Sequence, residues 1–192
     1  MTPNVAETER AKYEEIWSIP DYLNAESPGV INVDRFMSVV KPVAGYSLLD
    51  IGCGAGKAGI ALEKHGLDVW WLDICGDALS PEVPKDRFIE AALWDRRWRS
   101  RKTMGWDYGF CCDVMEHIPT EYTMLVLDHI LSACRTTWFS IALRPDVFGQ
   151  LIGQPLHLTV RDFNWWETRL ASIGDVIEAR DICGDGVYVC SR

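Results

Sequence analysis

The sequence predicts an α/β fold in which a seven-stranded, mostly parallel sheet carries helices on both faces and ends in an antiparallel hairpin. Short apolar runs alternate with amphipathic stretches after residue 44, as they do in the βα units of a parallel sheet. The last two runs, at 175–182 and 187–190, are separated only by Cys183-Gly184-Asp185-Gly186, which is short enough for a hairpin turn.

Size and composition are typical of one globular domain. The 192 residues are 48% apolar and 24% charged, and 19 basic against 28 acidic side chains give a net charge of -9. An acidic chain is a poor default binder of nucleic acid or anionic membranes, and no apolar run is long enough to span a bilayer. The N-terminus has no signal-peptide pattern, and seven cysteines without a CxxC pair favour buried, reduced thiols. We therefore expect a cytoplasmic protein.

Two helices are expected before the sheet, at 7–19 and 32–41, as a helical cap formed by residues 1–43. The first has apolar and aromatic residues at roughly helical spacing, namely Ala11, Tyr13, Ile16, Trp17 and Ile19. Pro20 ends it, and the prolines and glycines of 24–29 predict a loop. The remaining residues, 44–192, form the main domain.

The main domain is predicted to contain five strands before the hairpin, at 46–52, 68–74, 87–93, 106–114 and 137–143. Helices are predicted at 57–65, 120–134 and 161–173, and a glycine follows the first and the last of them. Apolar strands of this kind are buried on both faces of a parallel sheet. Ligands of such sheets bind at the carboxyl ends of the strands, where the strand order reverses.

A glycine-rich turn follows the first strand, in the segment Asp50-Ile51-Gly52-Cys53-Gly54-Ala55-Gly56. Glycine at every second position permits a tight turn and a close approach of the backbone to a ligand. Asp73 ends the second strand, 17 residues after Gly56, near the spacing at which nucleotide-binding folds present a carboxylate to ribose. A carboxylate there can accept two hydroxyl hydrogen bonds.

Together, these motifs resemble those of the class I S-adenosylmethionine-dependent methyltransferases, over about residues 44–192. The acidic residue before the first glycine distinguishes the turn from nicotinamide-binding turns. The resemblance implies a Rossmann-like sheet, S-adenosylmethionine as cofactor and S-adenosylhomocysteine as product. It implies that Asp73 binds ribose, that Ile74 and Trp94 flank adenine and that Asp95 accepts the adenine amino group. The full set of implied cofactor-binding residues is Asp50, Gly52, Gly54, Gly56, Asp73, Ile74, Leu93, Trp94, Asp95 and Asp113.

The fourth strand ends in Cys112-Asp113-Val114-Met115-Glu116-His117-Ile118-Pro119, which resembles a segment of methyltransferases that act on small molecules. The resemblance places Asp113 beside the methionine part of the cofactor. An imidazole with a pKa near 6.5 suits proton removal at neutral pH, so His117 is the first candidate for a general base. His157, in the long loop 144–160, is the second. A structural role of Glu116 and His117 at the next helix remains open.

The acceptor is expected to lie under the N-terminal helices, which would act as a lid. The candidate substrate-binding residues are Tyr13, Trp17, Tyr22, Arg144, Gln154 and Trp165. The expected reaction is methyl transfer to an oxygen or nitrogen of a small polar metabolite or sugar-like acceptor. Trp70, Trp71, Trp106 and Trp138 are expected in the core and Trp166 on the acceptor side, whereas Trp98 has no assignment.

Three alternatives remain open. The basic run 96–102, with Trp98 inside it, is compatible with a nucleic-acid methyltransferase. Asp113, Glu116, His117 and His157 offer metal ligands, and Asp-x-x-Glu-His partly resembles the Glu-x-x-Glu-His segment of metal-assisted small-RNA 2′-O-methyltransferases. A non-catalytic, cofactor-binding regulator is the third. The preferred interpretation assigns no metal ion, no nucleic-acid partner and no membrane span, and it leaves the oligomeric state open.

Overall fold

The structure, a computed structural model, describes residues 4–192. Its helices are α1 (Val5–Trp17), α2 (Pro20–Leu23), α3 (Pro28–Val40), α4 (Lys57–Glu63), α5 (Thr123–Ala133) and α6 (Phe163–Ala171). Its strands are β1 (Ser47–Ile51), β2 (Asp68–Asp73), β3 (Phe88–Glu90), β4 (Trp106–Cys112), β5 (Cys134–Ala142), β6 (Asp175–Ile182) and β7 (Asp185–Ser191). Residues 1–3 of the predicted cap lie outside the described residues. Within 4–192, no helix is long and apolar enough to cross a membrane.

The seven strands form one sheet in the order β3-β2-β1-β4-β5-β7-β6. Neighbours pair in parallel from β3 to β5, whereas β7 is antiparallel to both β5 and β6. The predicted fold class and the terminal hairpin are therefore confirmed. The strand order reverses between β1 and β4, and this arrangement opens a crevice at their carboxyl ends.

The core has two parts, one on each face of the sheet. Leu48 packs with α3 and α4, whereas its neighbour Leu49 packs with α5 on the other face. All five residues of β1 are buried, as expected for the central strand of a covered parallel sheet. Trp98 and Trp166 belong to the part of the core that contains Leu49. Trp166 is fully buried there, so the expectation that it lies on the acceptor side is wrong.

Helix α3 begins at Pro28, four residues before its predicted start. Proline is favoured in the first turn of a helix because its missing N–H needs no partner there. A Cβ at Gly29 would lie 2.9 Å from that of Ala58, so a larger residue would separate α3 from α4. Val33 and Phe36 of α3 belong to the core, whereas neither core cluster includes a residue of α1 or α2. The name cap is used below for α1 and α2.

Two further differences concern the predicted elements. Strand β5 begins at Cys134, directly after α5, whereas the sequence predicted a start at residue 137. In α1, Ile16 of the predicted stripe is buried, but Ala11 of that stripe is exposed and Lys12 is buried instead. Lys12 is buried because it forms an ion pair with Glu9, which lies one turn earlier on the same face. All seven cysteines are free, and Cys183 alone among them is exposed.

Candidate functional site

A cleft lies at the carboxyl ends of β1, β2 and β4 and has two adjoining cavities. The first cavity, under α1, is lined by Glu9, Tyr13, Trp17, Tyr22, Gly52, Gly54, Asp73, Ile74, Ala91, Leu93, Trp94, Asp113, Val114, His117 and Ile118. The second, under α2, shares Trp17, Tyr22, Gly52, Gly54 and Asp113 with it and adds Asp50. Twelve of the predicted site residues thus line these cavities at the strand ends, and three of them, Tyr13, Trp17 and Tyr22, belong to α1 and α2.

The glycine turn requires glycine for its backbone conformation. The φ angles of Gly52, Gly54 and Gly56 are 66°, 51° and 76°, in the left-handed region that other residues rarely adopt. A Cβ at Gly54 would also lie 2.7 Å from the ring of Trp17, which covers the turn. Gly56 differs from the prediction, because it is the N-cap of α4 and lines neither cavity, and a Cβ there would lie 2.6 Å from Val83.

Two carboxyl groups flank the turn. Asp50 lies in β1 and accepts a hydrogen bond from the Gly59 N–H at 2.9 Å, and burial raises the pKa of Asp50 to about 7. Asp73 ends β2 and accepts from the N–H groups of Gly54 (2.8 Å) and Cys75 (3.0 Å). Burial raises the pKa of Asp73 and these hydrogen bonds oppose the rise. Each carboxylate oxygen of Asp73 keeps a further lone pair for a ligand in the first cavity.

Apolar side chains face Asp73 across the first cavity. They are Ile74, Leu93 and Trp94, and the Trp94 ring stacks on Tyr122 at 5.1 Å. Asp95 does not join them: its carboxylate pairs with Arg97 and accepts from the Arg97 N–H at the start of the short helix 96–101. Asp95 lines neither cavity, so the expected contact with adenine has no support in this geometry.

Asp113 follows β4 with a φ of 59°, a left-handed conformation that aspartate tolerates better than most residues. Its N–H donates to the Ser140 carbonyl of β5 at 2.9 Å, and the residue lines both cavities. Strained backbone of this kind persists where the surrounding structure holds it, and it concentrates at functional sites.

Glu116 is fully buried behind Asp113. Its Oε1 accepts from the Ala142 N–H at 2.6 Å, whereas its Oε2 has no hydrogen-bond partner. Burial raises the pKa of Glu116, and the neighbouring Asp113 raises it further. The sequence had offered only a structural role or a place in a metal cluster for this residue.

His117 and His157 lie together, with ring centres 4.6 Å apart. Nδ1 of His117 lies 2.8 Å from the Tyr13 hydroxyl oxygen, and Nδ1–H of His157 donates to the Arg144 carbonyl at 2.7 Å. Burial lowers the pKa of His117 to about 4, although the charge of Asp113 opposes the shift. His117 is therefore neutral at pH 7.

The long loop 144–160 is organised by Asp146, which the sequence had not singled out. Its carboxylate accepts from the N–H groups of Gly149 (2.5 Å), Leu156 (2.9 Å) and His157 (3.1 Å). The N–H groups of residues 158 and 159 then donate to the Glu116 carbonyl, both at 2.8 Å. An aspartate three residues before a glycine is a turn signal that a sequence carries.

The three aromatic residues predicted to bind the acceptor, Tyr13, Trp17 and Tyr22, all line the first cavity. Trp17 packs on Tyr22 at 4.7 Å, and Tyr22 packs on Phe148 of the long loop at 5.3 Å. The cap and the loop therefore meet above the cleft.

Three other predicted acceptor residues do not reach either cavity. Arg144 forms an ion pair with Asp185, and Gln154 is exposed on the loop surface. The guanidinium of Arg169 lies 3.2 Å from the ring centre of Trp165 and covers it. All three have local partners or face solvent, so the prediction that they bind the acceptor has no support in the geometry.

The basic run lies away from the cleft. Trp98 inside it is buried and donates its indole N–H to the Leu93 carbonyl, so it cannot stack on a base. Arg99 reaches the Ser132 carbonyl at the end of α5, beside the amino end of β4. This is the edge of the sheet opposite to the cleft.

The fold is similar to that of solved methyltransferases. The magnesium protoporphyrin IX methyltransferase of Synechocystis PCC 6803, solved with bound S-adenosylmethionine, is 16% identical, with a TM-score of 0.67 over 99% of this chain and 100% of that chain. The 1,6-didemethyltoxoflavin-N1-methyltransferase of Burkholderia thailandensis, solved with S-adenosylhomocysteine, is 15% identical, with a TM-score of 0.67 over 100% of this chain and 92% of that chain.

A Rhodobacter sphaeroides structure, provisionally named a zinc-dependent alcohol dehydrogenase, is 13% identical, with a TM-score of 0.69 over 100% of both chains. No protein-family model and no curated protein matches the sequence. The TM-scores show that this chain has the fold of these methyltransferases. Because the identities are only 15–16%, the reaction must be argued from the site itself.

Proposed function

We propose that this chain transfers the methyl group of S-adenosylmethionine to an oxygen or nitrogen nucleophile of a small polar acceptor. The observation that carries the proposal is Asp73, which stands at the end of β2 between the glycine turn and the apolar side of the first cavity. A nucleoside needs these groups: a carboxylate for the ribose hydroxyls and apolar surfaces for the base.

The residues of the cleft fit the whole cofactor. Asp73 would hold the ribose, and Ile74, Leu93 and Trp94 would hold the adenine. Gly52 and Gly54 let the methionine part approach the backbone, with Asp50 and Asp113 beside it. When bound, S-adenosylmethionine supplies an electrophilic methyl group on a sulfonium, so the protein mainly has to align the acceptor.

The cap supplies the acceptor side. Tyr13, Trp17 and Tyr22 cover the first cavity and would exclude water from the reacting atoms. His117 lines the first cavity and is neutral at pH 7, and the ring centre of His157 lies 4.6 Å from its own, which supports the two histidines as candidates for proton removal. The covered cleft favours a small acceptor over a polymer.

Isothermal titration with S-adenosylhomocysteine tests the cofactor site. Asp73→Asn should weaken binding roughly 10- to 100-fold, since a charge-assisted hydrogen bond contributes about 1.5–3 kcal/mol. Asp77→Asn, an exposed carboxylate on the following loop, is the matched control and should bind as the parent does. Absence of binding by the parent chain, or equal binding by both variants, would contradict the proposal.

Turnover is tested separately by release of S-adenosylhomocysteine with pooled small metabolites. We expect release with at least one polar pool and a large loss in Trp17→Ala, because this side chain covers the glycine turn. Tight cofactor binding without release from any pool would instead favour a non-catalytic regulator.

A further inference from the structure

We infer that Asp113, Glu116, His117 and His157 form a binding site for one divalent first-row metal ion. One ligand atom from each residue lies within 4.8 Å of all the others. Opposite ligands of a six-coordinate ion with bonds of about 2.1 Å are about 4.2 Å apart. Small rotations of these side chains would therefore bring all four atoms to bonding distance.

Both histidines are oriented as metal ligands are. His157 donates its Nδ1–H to the Arg144 carbonyl, so Nε2 is the ring nitrogen left for a metal ion. His117 uses Nδ1 for the Tyr13 hydroxyl, which again leaves Nε2 for the cluster. Metal-binding histidines almost always give their second ring nitrogen to a carbonyl, carboxylate or water in this way.

The carboxylates supply the second, independent observation. Glu116 is fully buried, and its Oε2 has no hydrogen-bond partner although Oε1 has one. A buried oxygen without a partner is costly, and Asp113 brings a second carboxyl group next to it. A dication would bind both carboxylates, and no N–H group of the described residues donates to Oε2.

The ligand chemistry indicates which cation fits. Two imidazole nitrogens favour the later first-row metals, and two carboxylate oxygens favour harder ions such as Mn²⁺ and Mg²⁺. Their combination points to Mn²⁺, Fe²⁺ and their neighbours. No cysteine belongs to the cluster, so a thiolate-bound metal is not expected.

The cation would also act on the acceptor, and this step rests on the proposed function. Asp113 and His117 line the first cavity, so the remaining positions of a six-coordinate ion face the space under the cap. An acceptor with oxygen atoms can occupy these positions, and coordination lowers the pKa of a hydroxyl. With the ion bound, His117 and His157 would be its ligands, and the proton removal proposed for them above applies to the chain without metal.

The test is titration of the untagged, chelator-treated chain with MnCl₂, followed by the electron paramagnetic resonance of free Mn²⁺. Mn²⁺ has little affinity for thiols, so the seven cysteines do not compete. We expect one ion per chain and at least a tenfold loss of affinity in His157→Gln and in Glu116→Gln. His65→Gln, at an exposed histidine outside the cluster, is the matched control and should bind as the parent does.

Absence of stoichiometric binding at about 1 mM Mn²⁺ would overturn the inference, as would equal affinity in His157→Gln and His65→Gln. Circular dichroism and S-adenosylhomocysteine affinity report whether each variant is folded. Because Glu116→Gln preserves shape, it keeps the test decisive if His157→Gln is unstable. The titration needs neither acceptor nor turnover, so its failure is distinguishable from a failure of the proposed methyl transfer.

Discussion

Asp50 shows how one buried carboxyl group links ligand binding to stability. Within residues 4–192 its one hydrogen-bond donor is the Gly59 N–H, and burial raises its pKa from 3.8 to about 7. The folded state therefore holds this proton more tightly than the unfolded state, and the free energy of unfolding falls as the pH rises from about 4 to about 7.

We predict that Asp50→Asn removes this decrease in the free energy of unfolding between pH 4 and pH 7. Without cofactor, the variant should become more stable than the parent above pH 7, by up to about 4 kcal/mol, and should differ little from it at pH 4. Urea unfolding at several pH values measures the difference. The cofactor affinity of the variant should decrease, because Asp50 lies in the second cavity.

Asp107→Asn is a control, because the Asp107 carboxyl group should make stability depend on pH in the opposite direction. Burial raises the pKa of Asp107, but hydrogen bonds from the hydroxyl and N–H of Ser47 outweigh it, and the net pKa is lowered. This group stabilises the fold above its unfolded pKa, and the contribution is lost as the pH falls through the folded pKa. The variant should therefore be less stable than the parent at pH 7. Parallel pH profiles of the parent and Asp50→Asn would contradict the assignment for Asp50.

Asp146 supports a second prediction about a single residue. Its carboxylate accepts three backbone hydrogen bonds that hold the loop against His117. Asp146→Ala should therefore speed amide hydrogen exchange in peptides covering 148–158, by tenfold or more, while exchange in β1 and β2 is unchanged. Mass spectrometry of exchanged peptides measures this.

The control for Asp146 is Asp162→Ala, which removes the side-chain hydrogen bond at the start of α6. This change should cost about 1 kcal/mol of stability without affecting the loop. If the two variants alter the exchange of 148–158 equally, Asp146 has no special part in positioning His157.

The residues that the sequence placed correctly in the cleft share one property. Asp73 and Asp113 end strands whose carboxyl ends meet at one edge of the sheet, so topology alone brings them together. Asp95 and Arg144 line neither cavity, and each has an oppositely charged partner, Arg97 or Asp185. A one-dimensional pattern contains no information about such competition when the partner is 41 residues away, as it is for Arg144.

At the scale of elements, the cap formed by α1 and α2 is separable from the core. Neither core cluster includes a residue of these helices, although Ile16 is fully buried. We predict that removal of residues 1–27 leaves a cooperatively folding domain that has lost turnover, because it lacks Tyr13, Trp17 and Tyr22. Thermal unfolding and release of S-adenosylhomocysteine measure the two parts of this prediction.

The residue at which the deletion ends determines whether the remaining chain folds. A longer truncation that also removes 28–33 should unfold the domain, since Gly29 packs on Ala58 and Val33 lies in the core. Retained turnover without residues 1–27 would show that the cap is not a lid. The sequence predicted α1 well but placed Pro28 and Gly29 in a loop, because their fit against α4 is a tertiary contact that overrides local propensity.

For the whole molecule, the sheet was the most predictable feature and the surface the least. Alternating strand and helix patterns predicted the parallel strands and the terminal hairpin, whereas the order of the strands is a property of the tertiary structure. The burial of Trp98 inside a run of basic residues had no such signal, because a tryptophan between arginines is equally compatible with core and with surface stacking.

The distribution of charge over the molecule leads to the last prediction, which concerns nucleic acid. The chain has a net charge of -9, Trp98 is unable to stack, and Arg97 and Arg99 are engaged by Asp95 and the Ser132 carbonyl. We expect a 20-nucleotide single-stranded RNA to bind with a Kd weaker than about 10⁻⁴ M at 150 mM salt, as in non-specific binding. Fluorescence anisotropy measures this, with Arg96→Ala/Arg101→Ala as the matched variant. A sub-micromolar Kd that rises steeply with salt and is lost in the variant would instead establish an RNA-binding surface on the edge of the sheet opposite to the cleft.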